Sequence, residues 1–158
     1  HHRLAERGEE EVPVLDMDYG HFRTDDERDR LVVLAVATVK FVGYGFASVC
    51  ICKGPRDRIV VALMCKFLIE AGCAGSVRLR TDQEPAMEKL AEAVAVMRSP
   101  ARTVIEVTPV ASSSSLGSAE RKIQTISGQL RLLRADFQVR WNVVVLATSP
   151  VFRCMVRP

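Results

Sequence analysis

The stretch Leu31-Val-Val-Leu-Ala-Val-Ala-Thr-Val-Lys40-Phe-Val-Gly43-Tyr-Gly45-Phe-Ala-Ser-Val-Cys50-Ile-Cys52 decides what kind of chain this is. It is long and apolar enough to raise the question of a membrane span. Lys40, Gly43 and Gly45 interrupt it, and Val, Thr and Phe, which favour pleated structure, are frequent. The reading is therefore two consecutive strands of an antiparallel meander, Leu31 to Val39 and Val42 to Cys52, with no membrane partner.

Working outward, Val12 to Tyr19 reads as a first strand, separated from the meander by the charged loop Arg23-Thr-Asp-Asp-Glu-Arg-Asp-Arg30. Residues 1–11 are a charged, solvated lead-in. After the meander, Pro55 introduces a helix near Asp57 to Ala71, whose buried stripe is expected at Ile59, Val60, Leu63, Met64, Phe67 and Leu68. Gly72 and Gly75 end it and lead into a fourth strand, Ser76 to Asp82. Pro85 opens the next helix, where a missing N–H costs nothing. Met87, Leu90, Ala91, Val94 and Met97 follow helical spacing, and Pro100 stops the run. Thr103 to Thr108 is a fifth strand, and the small-residue loop 109–117, with Ser115 and Gly117, is expected to be flexible. A long helix over 118–137 follows, with an apolar stripe of Ile123, Ile126, Leu130, Leu133 and Phe137. Its polar face carries Glu120, Gln124, Ser127, Arg131, Arg134 and Gln138. The order is three antiparallel strands, then helix, strand, helix, strand, helix: an α/β chain with a mixed five-stranded sheet flanked by helices.

The 158 residues suffice for one domain with a real core, and 48% apolar against 26% charged residues excludes a disordered chain. A net charge of +3 is too modest for a purely electrostatic nucleic-acid binder, so any such contact must come from local patches. The five cysteines, at 50, 52, 65, 73 and 154, contain no C-x-x-C pair, and the three histidines are at 1, 2 and 21. Reduced thiols in an intracellular protein are the reading. The charged N-terminus has no apolar segment of the kind a signal peptide needs.

Acidic residues stand at the ends of three different elements. Asp18 closes the first strand, Asp82 closes the fourth, and Glu120 opens the last helix, with 63 and 37 residues in the two intervals. Carboxylates are the ligands magnesium prefers, and two such ions can clamp a phosphodiester for in-line displacement. Each acid also has an ordinary explanation: a strand-end carboxylate in solvent for Asp18, an N-cap for Asp82, a complement to the helix dipole for Glu120. Asp16 shares a strand face with Asp18, so alternation cannot choose between them.

Asp18-Tyr19-Gly20, Asp82-Gln-Glu-Pro-Ala86 and Gly117-Ser-Ala-Glu120-Arg121-Lys122 together resemble the D,D-35-E motifs of retroviral and retrotransposon integrase catalytic cores, the last most closely the copia-like form. The element order likewise resembles the ribonuclease H-like fold. The resemblance covers residues 12–137 as the catalytic core, leaving 138–158 as a truncated C-terminal segment of it. It implies 3′-end processing and strand transfer of retroelement DNA by a two-metal mechanism, with Asp18, Asp82 and Glu120 as catalytic residues and ligands of two Mg²⁺ ions, Mn²⁺ being a substitute. It favours Asp18 over Asp16. Arg121, Lys122, Gln124, Ser127 and Arg131 would face nucleic acid. Double-stranded DNA ends and target DNA are the implied partners, in a homo-oligomer, in the nucleus or a cytoplasmic retroelement particle. The chain departs from the family pattern in its longer first interval and in lacking a His-His-Cys-Cys module, and it looks like a piece of a polyprotein. The alternatives are a ribonuclease H-like nuclease, which usually needs a fourth acid, and an inactive remnant serving as a nucleic-acid-binding or interaction module.

Overall fold

The structure is a computed structural model that describes residues 12–23, 31–40, 42–109 and 117–156. The lead-in 1–11, most of the charged loop 23–30 and Ser115 lie outside the described residues.

Five strands form one sheet in the order β3-β2-β1-β4-β5: β1 (Val14–Phe22), β2 (Val32–Val39), β3 (Gly45–Val49), β4 (Val77–Thr81) and β5 (Thr103–Val107). β1 pairs antiparallel with β2, and β2 with β3; β1–β4 and β4–β5 are parallel. The helices are α1 (Arg58–Glu70), α2 (Pro85–Met97), α3 (Gly117–Trp141) and α4 (Pro150–Val156). This is the mixed five-stranded α/β sheet with flanking helices that the element order implies.

Strand alternation splits the core in two. Leu15, Met17 and Tyr19 of β1, with Ala35 and Ala37 of β2, pack beneath Val60, Met64 and Leu68 of α1 and Met87, Leu90 and Val94 of α2. Phe22, Leu34 and Val36 point to the other face, against Leu130 of α3 and Phe152 and Val156 of α4. Asp16 and Asp18 project on this second face, because they alternate with Leu15, Met17 and Tyr19.

Local chemistry fixes the joints. Buried Asp57 caps α1 by accepting from the Val60 N–H at 3.2 Å, and its other oxygen accepts from the Ile51 N–H at 2.7 Å, tying the end of β3 to the helix start. Pro85 is the first residue of α2. Gly43 takes a φ of +70° in the β2–β3 turn, a conformation that costs glycine nothing.

Five expectations need correction. The first strand runs from Val14 to Phe22, not Val12 to Tyr19, because pairing with β2 extends to Phe22, so Asp18 lies mid-strand and does not close it. β3 is shorter than Val42 to Cys52, because the turn through Gly43 takes up the residues before Gly45. Cys50 therefore lies beyond the strand, where burial pushes its thiol up to about 12. Ile59 is 50% exposed and Val61 is buried in its place: the capped first turn of α1 directs Val60 and Val61 to the sheet. Met97, at the last turn of α2, is exposed past the edge of the sheet. In α3, which runs on to Trp141, Leu133 is exposed while Ser127 is buried, since Ala119, Ser127 and Leu130 form the inward line.

Candidate active site

The parallel register of β1 and β4 pairs Val14 with Arg78, Leu15 with Leu79 and Asp16 with Arg80. Two residues further along the chain from this last pair stand Asp18, within β1, and Asp82, just past the end of β4. α3 contacts β1 and β2, and its first turn carries Ser118 and Glu120 over the same end of the sheet.

The two carboxylates of β1 have different surroundings. Asp16 is buried, 1% exposed, and its Oδ1 accepts from Arg80 Nε at 2.8 Å and Nη2 at 2.7 Å. Its Oδ2 accepts from the Ser118 hydroxyl. Both oxygens are therefore spent on holding β1, β4 and α3 together. Asp18 is half-buried and accepts a short bond, 2.6 Å, from the Tyr19 N–H. Its carboxyl is raised to about 6: burial is the largest cause, the Tyr19 bond opposes it, and the charges of Asp82, Glu120 and Glu84 add to it.

Asp82 Oδ1 accepts from the Glu84 N–H at 3.1 Å, a local turn just before α2. The N-cap of α2 is Glu84, not Asp82. Glu120 lies in the first turn of α3 and is exposed. Among the described residues, no three His, Cys, Asp or Glu side chains converge closely enough to form a ready-made metal cage. The donor set nonetheless suits a hard divalent cation in kind, since the charged groups that bear on Asp18 are carboxylates.

Sequence reasoning missed two residues at this end of the sheet. Glu84 is a fourth carboxylate near Asp18, and Lys53 reaches it at 2.6 Å. Lys53 also lies over the Tyr19 ring, 4.8 Å from its centre, and the Tyr19 hydroxyl accepts from the Gly54 N–H at 2.8 Å. Glu84 stands two residues after Asp82 and was available as a signal; nothing local connects Lys53 to residues so distant in the chain.

The residues expected to meet nucleic acid are dispersed around α3. Arg121 and Gln124 are exposed. Lys122 donates to the Gly43 carbonyl at 2.9 Å and lies across Gly45, where any added Cβ would collide with it. Arg131 lies over the Phe22 ring at 5.5 Å. Ser127, 8% exposed, presents no surface to a ligand. Arg134 and Gln138, read as part of the polar face, instead hold the backbone of Val145: the guanidinium donates to its carbonyl and the amide oxygen accepts from its N–H. Gly117, expected in a loop, is the first residue of α3.

No protein-family model matches the chain, and no curated protein does. Solved structures do. The BIV integrase catalytic core domain is 14% identical over 78% of this chain and 72% of its own, with a TM-score of 0.52. The HTLV-2 integrase catalytic core domain in complex with magnesium (dimeric form) is 16% identical over 79% of this chain and 75% of its own, with a TM-score of 0.51. The simian T-cell lymphotropic virus intasome gives 17% identity and a TM-score of 0.60, over 79% of this chain and 42% of that one. At such identities the likeness speaks for architecture: the chain has the ribonuclease H-like fold of retroviral integrase catalytic cores.

Proposed function

We propose that the chain is the catalytic core of an integrase-type polynucleotidyl transferase, processing 3′ ends of retroelement DNA and joining them to target DNA. One observation carries the reading. The charges of Asp82 and Glu120, each remote in sequence from β1, both bear on a half-buried Asp18. Like charges gathered around a desolvated carboxylate are costly on their own and suit a divalent cation. When bound there, Mg²⁺ or Mn²⁺ would activate the attacking oxygen and stabilise the leaving one.

Asp18 in β1 and Asp82 in the turn after β4 are each oriented by a bond from a nearby backbone N–H. Glu120, exposed in the first turn of α3, would be the third ligand. Asp16 is the positioning residue beneath them, fixing β1 to Arg80 and α3. The working form is a homo-oligomer, because two DNA ends must be joined in concert, and it acts in the nucleus or a cytoplasmic retroelement particle.

A ribonuclease H-like nuclease is the second reading, favoured by Glu84 as the fourth acid near Asp18. A DNA strand-transfer assay with Mg²⁺ or Mn²⁺ separates the two. Joined products that disappear in Asp82→Asn support the integrase reading. Hydrolysis of RNA–DNA hybrids without joining supports the nuclease. Neither activity, in chain that is folded, leaves the inactive-remnant reading.

A further inference from the structure

Beside the three-acid site, on the same face of the sheet, lies a cavity of about 510 Å³ between the start of α3 and the β2–β3 turn. Its walls include Asp16, Thr38, Lys40, Arg80, Arg121 and Lys122. Among the described residues this wall holds four cations and one carboxylate; that carboxylate is engaged by Arg80 and Ser118, and Lys122 donates to the Gly43 carbonyl. The described lining therefore carries a net positive charge.

Thr38 makes this more than a cluster of surface charges. It is directly opposite Asp16 in the β1–β2 register, 4% exposed, and its hydroxyl has no hydrogen-bond partner among the described residues. A buried hydroxyl without a partner destabilises a fold and calls for an explanation. A hydroxyl, a guanidinium and ammonium groups around one space are a donor set for an oxyanion.

We infer that this cavity binds a phosphate group of a DNA backbone, adjacent to the phosphodiester on which the three acids act. The inference rests on the proposed function for the identity of the anion's carrier. Its geometry supports the pairing: Asp16, in the cavity wall, precedes Asp18 by two strand residues, roughly 7 Å at about 3.4 Å each. Arg121, in the same wall, directly follows Glu120.

The test is binding of a short DNA duplex and of inorganic phosphate to the whole chain, without divalent metal, across a range of salt. Arg121→Ala should weaken duplex binding severalfold and lower the salt slope by about one, as loss of one phosphate contact does. Thr38→Val keeps the side-chain shape and removes the hydroxyl. It should weaken both ligands severalfold while leaving the melting temperature unchanged or higher. Lys66→Ala, on α1, serves as the control for loss of one surface charge. Parental binding in both cavity variants, or an equal loss in Lys66→Ala, overturns the inference. Binding of inorganic phosphate at the cavity without binding of duplex overturns the DNA assignment. A duplex-binding cavity in a chain that breaks no phosphodiester bond with Mg²⁺ refutes the proposed function instead and leaves the cavity standing.

Discussion

Asp16 and Asp18 are two residues apart on one strand face, yet they should respond oppositely to mutation. Asp16→Ala removes the carboxylate from a largely buried ion pair and should cost about 3–5 kcal/mol of stability, read by denaturant unfolding. Asp18→Asn should do the reverse. Because the folded-state carboxyl is raised from 3.8 to about 6, folding favours its protonated form, and stability is lost as pH rises through that window. In metal-free melts, Asp18→Asn should therefore melt higher than the parent above about pH 6, and the two should converge below 3.8. A parent that melts as high as the variant at neutral pH would refute the reading of a strained carboxylate. Alternation in the sequence placed both acids on one face but could not distinguish them. The distinction depends on Arg80, which is 64 residues from Asp16 and was read only as part of the fourth strand.

At the scale of elements, the seating of α3 on β1 depends on a missing side chain. A Cβ on Gly20 would come within 2.9 Å of Ile123 Cγ2, so Gly20 is what lets the helix approach. Gly20→Ala should cost about 1–3 kcal/mol through overpacking. Adding Ile123→Ala removes the opposing atoms, so the double variant should lose less than the sum of the single losses; strict additivity would refute the contact. Periodicity revealed most of the α3 stripe, because Ile123, Ile126 and Leu130 repeat at helical spacing. It misjudged Leu133 and Ser127, since position on the helix decided their burial and side-chain type did not. Arg134 and Gln138 could not be read as anchors of Val145, because such backbone bonds leave no mark in a polar pattern.

For the whole molecule, the sheet order puts β1 at the centre, between β2 and β4, and β5 at an edge with most of its residues partly or fully exposed. Amide exchange should be slowest in β1 and β2 and faster in β5, because opening the centre requires global unfolding. Equal protection of β5 and β1 would refute this ranking. The sequence made the element order legible through its strand and helix periods. The placement of β4 beside β1 was not legible in this way, as no local pattern states which strands become neighbours. Asp82 and Glu120 were legible as residues at element ends, whereas Asp18 lies mid-strand, because β1 runs on to Phe22. Glu84, Lys53 and the Thr38 cavity were not, because each depends on side chains that meet only after the sheet has assembled.

The parallel pairing of β1 with β4 also has a consequence for arithmetic. Arg78 and Arg80 lie on one side of β4 and Val77 and Leu79 on the other, so Asp82 belongs to the charged row by parity. Deleting a single residue within Val77–Thr81 would reverse the facing of the residues that follow it and turn Asp82 toward the helices α1 and α2. Lengthening the joint between β1 and β2 by any number would move neither acid. The interval of 63 is thus set by loop lengths, and the quantity the site depends on is odd or even. Kindred chains would be recognised by counting in twos along each strand, whatever distance separates one acid from the next.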